Sequence, residues 1–416
     1  MTEPAPAWQG SCLLRAPHRL AFAAAILSLL LASLWWLGLL AVWAAAPAWL
    51  FRYAAFAPWL LHGALMVFGF FPLFFAGFIF TVCPKWLRVP VPTMSDTALV
   101  VLPQLAGWLL WLAGSQLGRW PACAGLGLAL TGLLLQYRRL ALMWLSSREP
   151  DRVHAGCFAL AGLVGTISLA GLLWAWLQDD LALARGWLQT GLWGFVFVTF
   201  AAASHRMVPV LSSDHLPGRG KSWSVLVLLL ACASVKVLLA WGDWAGFQSA
   251  ASDSLAGACL LLAGVGLLWV ARVWARVQSL GQRIMAMLHA GFVWLALAFL
   301  LDAASVLGRP AGWPQAGLAV PHACAMGFMA TVMFAMVERV SCAYGGRKLD
   351  FEGWVWRGFW LLQAATLARL GAELAPVPLR GALLLLAVAL WLLALLPWCW
   401  RLLRWYGCPR PDGRPG

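Results

Sequence analysis

Pro321-His322-Ala-Cys-Ala-Met326-Gly-Phe-Met329-Ala-Thr-Val-Met333-Phe-Ala-Met336-Val-Glu338-Arg339 is the stretch that decides how the chain must be read. From Pro321 to Val337 no Asp, Glu, Lys or Arg interrupts it, so it is apolar enough to lie in a bilayer. At about 100° per residue, His322, Met326, Met329, Met333 and Met336 share one narrow helical stripe. An ionisable side chain at such a depth is costly and marks function by default. Imidazole with soft sulfur suits copper or haem iron. The methionines alone suit helix packing equally well, because Met fills irregular gaps.

The rest of the chain has the same character. Of its 416 residues 63% are hydrophobic and 11% charged, more apolar surface than one soluble core absorbs. Twelve apolar spans can be drawn: 20–44, 56–82, 97–117, 121–136, 155–177, 187–205, 222–241, 254–271, 284–305, 315–337, 354–372 and 380–400. Tyr137, Arg138 and Arg139 close the fourth. This predicts an all-α polytopic transmembrane helical bundle, one integral membrane domain over residues 1–416. The net charge of +14 is unevenly spread. With the N-terminus in the cytoplasm, 22 of the 29 Lys and Arg fall on cytoplasmic segments, five (Arg52, Arg119, Arg185, Arg309, Arg380) fall outside, and Lys236 and Arg369 lie within spans. The positive-inside rule then places both termini in the cytoplasm. The basic excess is topological; the partner it implies is the lipid bilayer, with no nucleic acid. Arg15 and Arg19 precede the first span without a cleavage-site pattern, so no cleaved signal peptide is expected. The ten Cys include no CxxC, which leaves a zinc ribbon or c-type haem attachment unsupported.

Seven histidines are few enough to place singly. His18, His154 and His215 fall in flanking or loop segments and are expected to be solvated or interfacial. His62, His205, His289 and His322 lie in or at the ends of spans. His322 precedes Glu338 by about 24 Å of helix, which places it toward the outer leaflet, and His62 belongs at a similar or shallower level. His289 follows Arg283 by about 9 Å, and His205 directly precedes Arg206, so these two form an inner pair. His62 and His322 each have a Met four residues on (Met66, Met326), and Met285 stands four residues before His289. Small residues beside the outer histidines would let a flat macrocycle or another helix come close. Asp302, near the outer end of its span, is a candidate to orient a histidine or relay protons, or simply a helix-end residue. Lys236 can pair with Asp243 or snorkel outward. Glu338 and Arg339 read as interfacial.

The segment His322 to Leu349, with its Glu-Arg-Val-Ser core and Gly345-Gly-Arg-Lys-Leu349 ending, resembles the NnrS family. Met287-Leu-His289-Ala-Gly-Phe is similar to that family's preceding histidine helix. Phe68-Gly-Phe70, Ala76-Gly-Phe78 and Thr81-Val-Cys-Pro-Lys-Trp86 resemble its second span, and Arg206-Met-Val-Pro209 its arginine-proline motif. The resemblance implies a polytopic protein of the bacterial inner membrane that contains haem, b-type by expectation, and copper, linked to nitric oxide metabolism or protection against nitrosative stress. It implies His62, His289 and His322 as haem ligands. His205, His289, Met66, Met285 and Met326 are candidates for copper. One departure stands out: where many members carry His-x-His-Glu-Met, this chain reads His62-Gly-Ala-Leu-Met66. His205 can replace the missing histidine, but its inner depth argues against a site shared with His62. Electrons would come from a quinol or a protein donor, and a nitric-oxide-related oxidoreductase activity is possible chemistry for such a centre. The competing class is a secondary transporter without redox cofactor, which twelve spans with scattered Gly and Pro also suit.

Overall fold

The computed structural model describes residues 8–45, 57–208, 223–247, 249–277, 280–312, 317–349 and 353–413. Among them there is no strand. A short 3-10 turn, Gly10–Arg15, leads, among the described residues, into twelve long helices: α1 Pro17–Ala45, α2 Pro58–Leu87, α3 Met94–Leu117, α4 Arg119–Ser146, α5 Val153–Leu177, α6 Leu181–Met207, α7 Ser224–Ala245, α8 Ala250–Val277, α9 Arg283–Gly308, α10 Ala319–Gly345, α11 Gly353–Leu374 and α12 Val377–Tyr406. Ten of them are long and apolar enough to cross a membrane; α4 and α11 fall short by composition. Both carry charge on a face that finds partners. In α11 Arg369 reaches Glu373 one turn on at 2.7 Å, and in α4 Arg139 reaches Asp96 at 2.7 Å. The helix that contains the expected fourth span, 121–136, continues past it. Arg138 and Arg139 are good helix formers, the ion pair accommodates one of them, and the helix runs on to Ser146.

Three helices are interrupted by a π turn, in which i→i+5 bonding admits an extra residue. These are Leu65–Phe70 in α2, Gly191–Phe197 in α6 and Ala323–Ala330 in α10. Each contains glycine, which costs an apolar helix regularity. Ser28 Oγ donates to the Gly69 carbonyl at 2.8 Å, which satisfies an acceptor in the first of them.

The chain divides into two compact units. The first comprises Met1–Trp36, Ala45–Ala202 and Cys399–Gly416. Its tightest pairing is α3 against α4. A Cβ on Gly107 would stand 2.5 Å from the Ala129 amide nitrogen, and one on Gly125 2.5 Å from that of Trp111. Only glycine lets two backbones come so close, the usual device where lipid supplies no hydrophobic drive between helices. The α2 and α6 π turns meet through Phe68, whose ring covers Gly191 and stacks on Phe195. At the chain ends the Arg19 guanidinium donates to the carbonyls of Tyr406 (3.2 Å) and Cys408 (2.9 Å), closing the last turn of α12.

The second unit comprises Leu37–Ala44 and Ala203–Trp398. Here α8 and α9 pack through Gly257 on Leu307 and Gly264 on Leu300. Antiparallel α9 and α10 are in register through Gly327, which receives the Trp294 ring, and Gly291, which faces Phe328, Thr331 and Val332. Gln363 of α11 ties the three together: it accepts from Trp294 Nε1 at 2.7 Å and donates to Thr331 Oγ1 at 3.0 Å.

Candidate functional site

His322 ends the first turn of α10, directly before its π turn. Its Nδ1 lies 2.7 Å from the Leu318 carbonyl oxygen. A carbonyl only accepts, so Nδ1 carries the proton and Nε2 is left as the lone-pair nitrogen, the form that binds a metal. A ligating histidine characteristically holds its other N–H in this way. His289 is fixed in the opposite tautomer. Its Nε2 lies 3.0 Å from the Ala271 carbonyl oxygen, which leaves Nδ1 with the lone pair, while its ring meets Trp274 edge-on at 5.4 Å.

The α9–α10 register separates these two histidines. Extended from the Trp294–Gly327 contact, it brings His289 level with Met333 and His322 level with the region just before Asp302. About eleven residues, or about 16 Å of helix, lie between them, too far for both rings to bind one iron. His62 belongs to the first unit. It precedes the α2 π turn by two residues and lies flat on Trp36, centroids 4.2 Å apart at 19°. His205, in the second unit, is fully buried and stacks on Trp223 at 5.3 Å. Tryptophan thus holds three of the four span histidines. Sequence reasoning missed these partners because Trp36 and Trp274 are remote in the chain from the rings they touch.

The His322–Met336 stripe is not continuous. The extra residue of the π turn rotates everything beyond it by about 100°. Met326, within the turn, is half-buried like His322, whereas Met329 and Met333 are buried in the core and read as packing. Met66 and Met285 are half-buried, each one turn from its histidine. Among the described residues no three His, Cys, Asp or Glu side chains come together to hold a metal. Copper at these points would rest on one imidazole with thioether sulfur, a Cu(I) donor set. The small residues near His62 and His322 receive neighbouring helices: Leu188 packs onto Gly63 and Trp294 onto Gly327.

Several polar residues lie elsewhere than expected. Lys236 pairs with Asp302 at 2.6 Å, while Asp243 meets Arg309 at 3.6 Å. Asp302, 4% exposed, falls level with the first turn of α10, beside the His322 segment. It is bound by Lys236, and the Nδ1 proton of His322 goes to Leu318. Glu338 is fully buried, because α10 continues past it to Gly345. His18 (2% exposed) and His154 (0%) are buried too; His18 sits between the edges of Phe22 and Tyr406. His215 and Pro209 lie outside the described residues.

No curated protein matches the chain. The family profile described as NnrS protein matches residues 12–410, nearly the whole length, with the histidine helices inside the match. The chain belongs to the NnrS family.

Proposed function

We propose that this is a haem- and copper-binding protein of the bacterial inner membrane, acting in nitric oxide metabolism or in protection against nitrosative stress. The observation that carries the reading is the 2.7 Å contact of His322 Nδ1 with the Leu318 carbonyl, which prepares Nε2 as a ligand within an apolar span. Family membership over residues 12–410 supports it. So do the π turns beside His62 and His322, since such turns are frequent at functional sites.

His322 and, independently of it, His62 are haem-binding residues of this proposal, on b-type haem. His289, through Nδ1, is a ligand of a second centre with Met285, and His205, Met66 and Met326 are further copper candidates. Bound haem iron supplies a site for nitric oxide and one-electron chemistry. The chain's own part is to fix the tautomers of His322 and His289 and to set an indole beside His62, His205 and His289. Electrons come from a quinol or a protein donor. Both termini are cytoplasmic in this reading, and α4 and α11 cross the membrane with the other ten helices.

The test is an absorption spectrum of the purified protein with iron and copper analysis. A Soret band with both metals is expected; no Soret band and no metal would sink the proposal. A secondary transporter is the competing reading, favoured by helices broken at π turns and by the intramembrane pair Lys236–Asp302. Substrate-driven ion flux into liposomes from cofactor-free protein would establish it.

A further inference from the structure

In the first unit the packing of α1, α2 and α3 leaves a cleft. Leu31 and Ala32 of α1, Leu65 of α2, and Leu105, Trp108 and Leu109 of α3 line it. Two contacts between α1 and α2 set its place. Trp36 stacks on His62, and Ser28 Oγ donates to the Gly69 carbonyl at 2.8 Å. The cleft lies between these contacts, at Ala32 and at Leu65, the first residue of the α2 π turn. Ala32 is one helical turn from Trp36, and Leu65 is one turn from His62, so the cleft lies one turn from the stacked imidazole. A π turn widens its helix and puts its side chains out of step with a regular neighbour, so the α1–α2 seam does not close there.

Depth, lining and size restrict what can fill the cleft. Leu31 is the central residue of α1, and Leu105 stands at the centre of α3. The mouth therefore lies near the middle of the bilayer, beside Leu31 and Leu109, both of which are partly exposed. Carbon lines the cleft almost throughout, and the Ser28 hydroxyl at its edge is engaged by Gly69. Water needs several polar partners and finds none on such walls. The volume open to the centre of a water-sized molecule is about 10 Å³, room for one diatomic and too little for a quinone ring.

We propose that this cleft is the port through which nitric oxide, a small uncharged molecule that dissolves in the bilayer core, enters the first unit and reaches His62. The port rests on the reading that His62 binds haem. It adds to that reading the side from which the diatomic arrives, laterally from lipid between α1 and α3.

Krypton is the probe, since dry apolar cavities take up such guests and the atom is close to a diatomic in size. In crystals of the full chain grown from a lipid mesophase and pressurised with krypton, an anomalous peak is expected among Ala32, Leu65, Leu105 and Trp108. Ala32→Val and, from the α3 side, Leu105→Phe should each abolish that peak while the surrounding helices keep their places. No peak in the wild-type protein, or an acyl chain seated in the cleft instead, overturns the proposal whatever the haem content. Stopped-flow mixing of the reduced protein with nitric oxide is the second measurement. At equal Soret absorbance, the binding phase that His62→Ala removes should slow severalfold in each cleft variant. An unchanged rate in both overturns the port. If His62→Ala removes no phase, the haem reading at His62 falls, and the krypton map decides the cleft by itself.

Discussion

Two histidine segments, Pro58–Phe70 and Ala319–Ala330, are built alike and supported differently. Each has a proline, a histidine and then a π turn that contains a methionine four residues past the histidine. In the first unit the His62 ring rests on the face of Trp36, and the helices around it are held by glycine contacts such as Gly107–Ala129 and Gly63–Leu188. In the second, His322 is held by a directed hydrogen bond, and the ion pair Lys236–Asp302 stands level with its first turn. A stacked ring is held by its face. A ring bonded to a carbonyl has its ligand nitrogen chosen. The difference singles out His322 as the better prepared ligand.

The sharpest break of this comparison is in the ion pair. Asp302→Leu leaves the Lys236 ammonium in an apolar span without its carboxylate, a loss of about 3–5 kcal/mol. Lys236→Met combined with Asp302→Leu should recover most of that, read as the denaturation midpoint of each variant in detergent. If the double variant is no better than the single one, the pair is not what supports the His322 segment.

Gly125→Leu probes the other support. A side chain there meets the Trp111 backbone, and overpacking of this kind costs about 1–3 kcal/mol. The effect should appear as a lower thermal midpoint and faster proteolysis in the first unit. A smaller effect is expected from Trp36→Leu, which removes a ring stack of about 0.5–1.5 kcal/mol. It should broaden the His62 imidazole NMR signals while those of His322 stay unchanged. Equal broadening of both would mean that the two segments are not independently held.

Much of the fold was legible because hydropathy is local: each of the twelve apolar runs coincides with a helix over most of its described residues, and ten of those helices are long and apolar enough to cross a membrane. The length of the fourth helix was not legible, because Arg139 has its partner, Asp96, 43 residues earlier in the chain. The π turns were not legible. They depend on how Phe68, Gly191 and Trp294 pack between helices, and they break the regular 100° period on which the methionine stripe rested. His62, His205, His289 and His322 could be picked out from their type and depth. The Leu318 and Ala271 carbonyls that fix two of them could not, since every residue carries a carbonyl and only the fold chooses which one a ring meets.

The central claim is that His322 presents Nε2 to haem iron, and chemical rescue tests it most directly. The Soret absorbance per polypeptide of His322→Gly should collapse relative to wild type and return on addition of free imidazole, while His322→Gly stays monodisperse in detergent. An unchanged Soret band in folded His322→Gly, or a lost band that imidazole does not restore, would contradict the account.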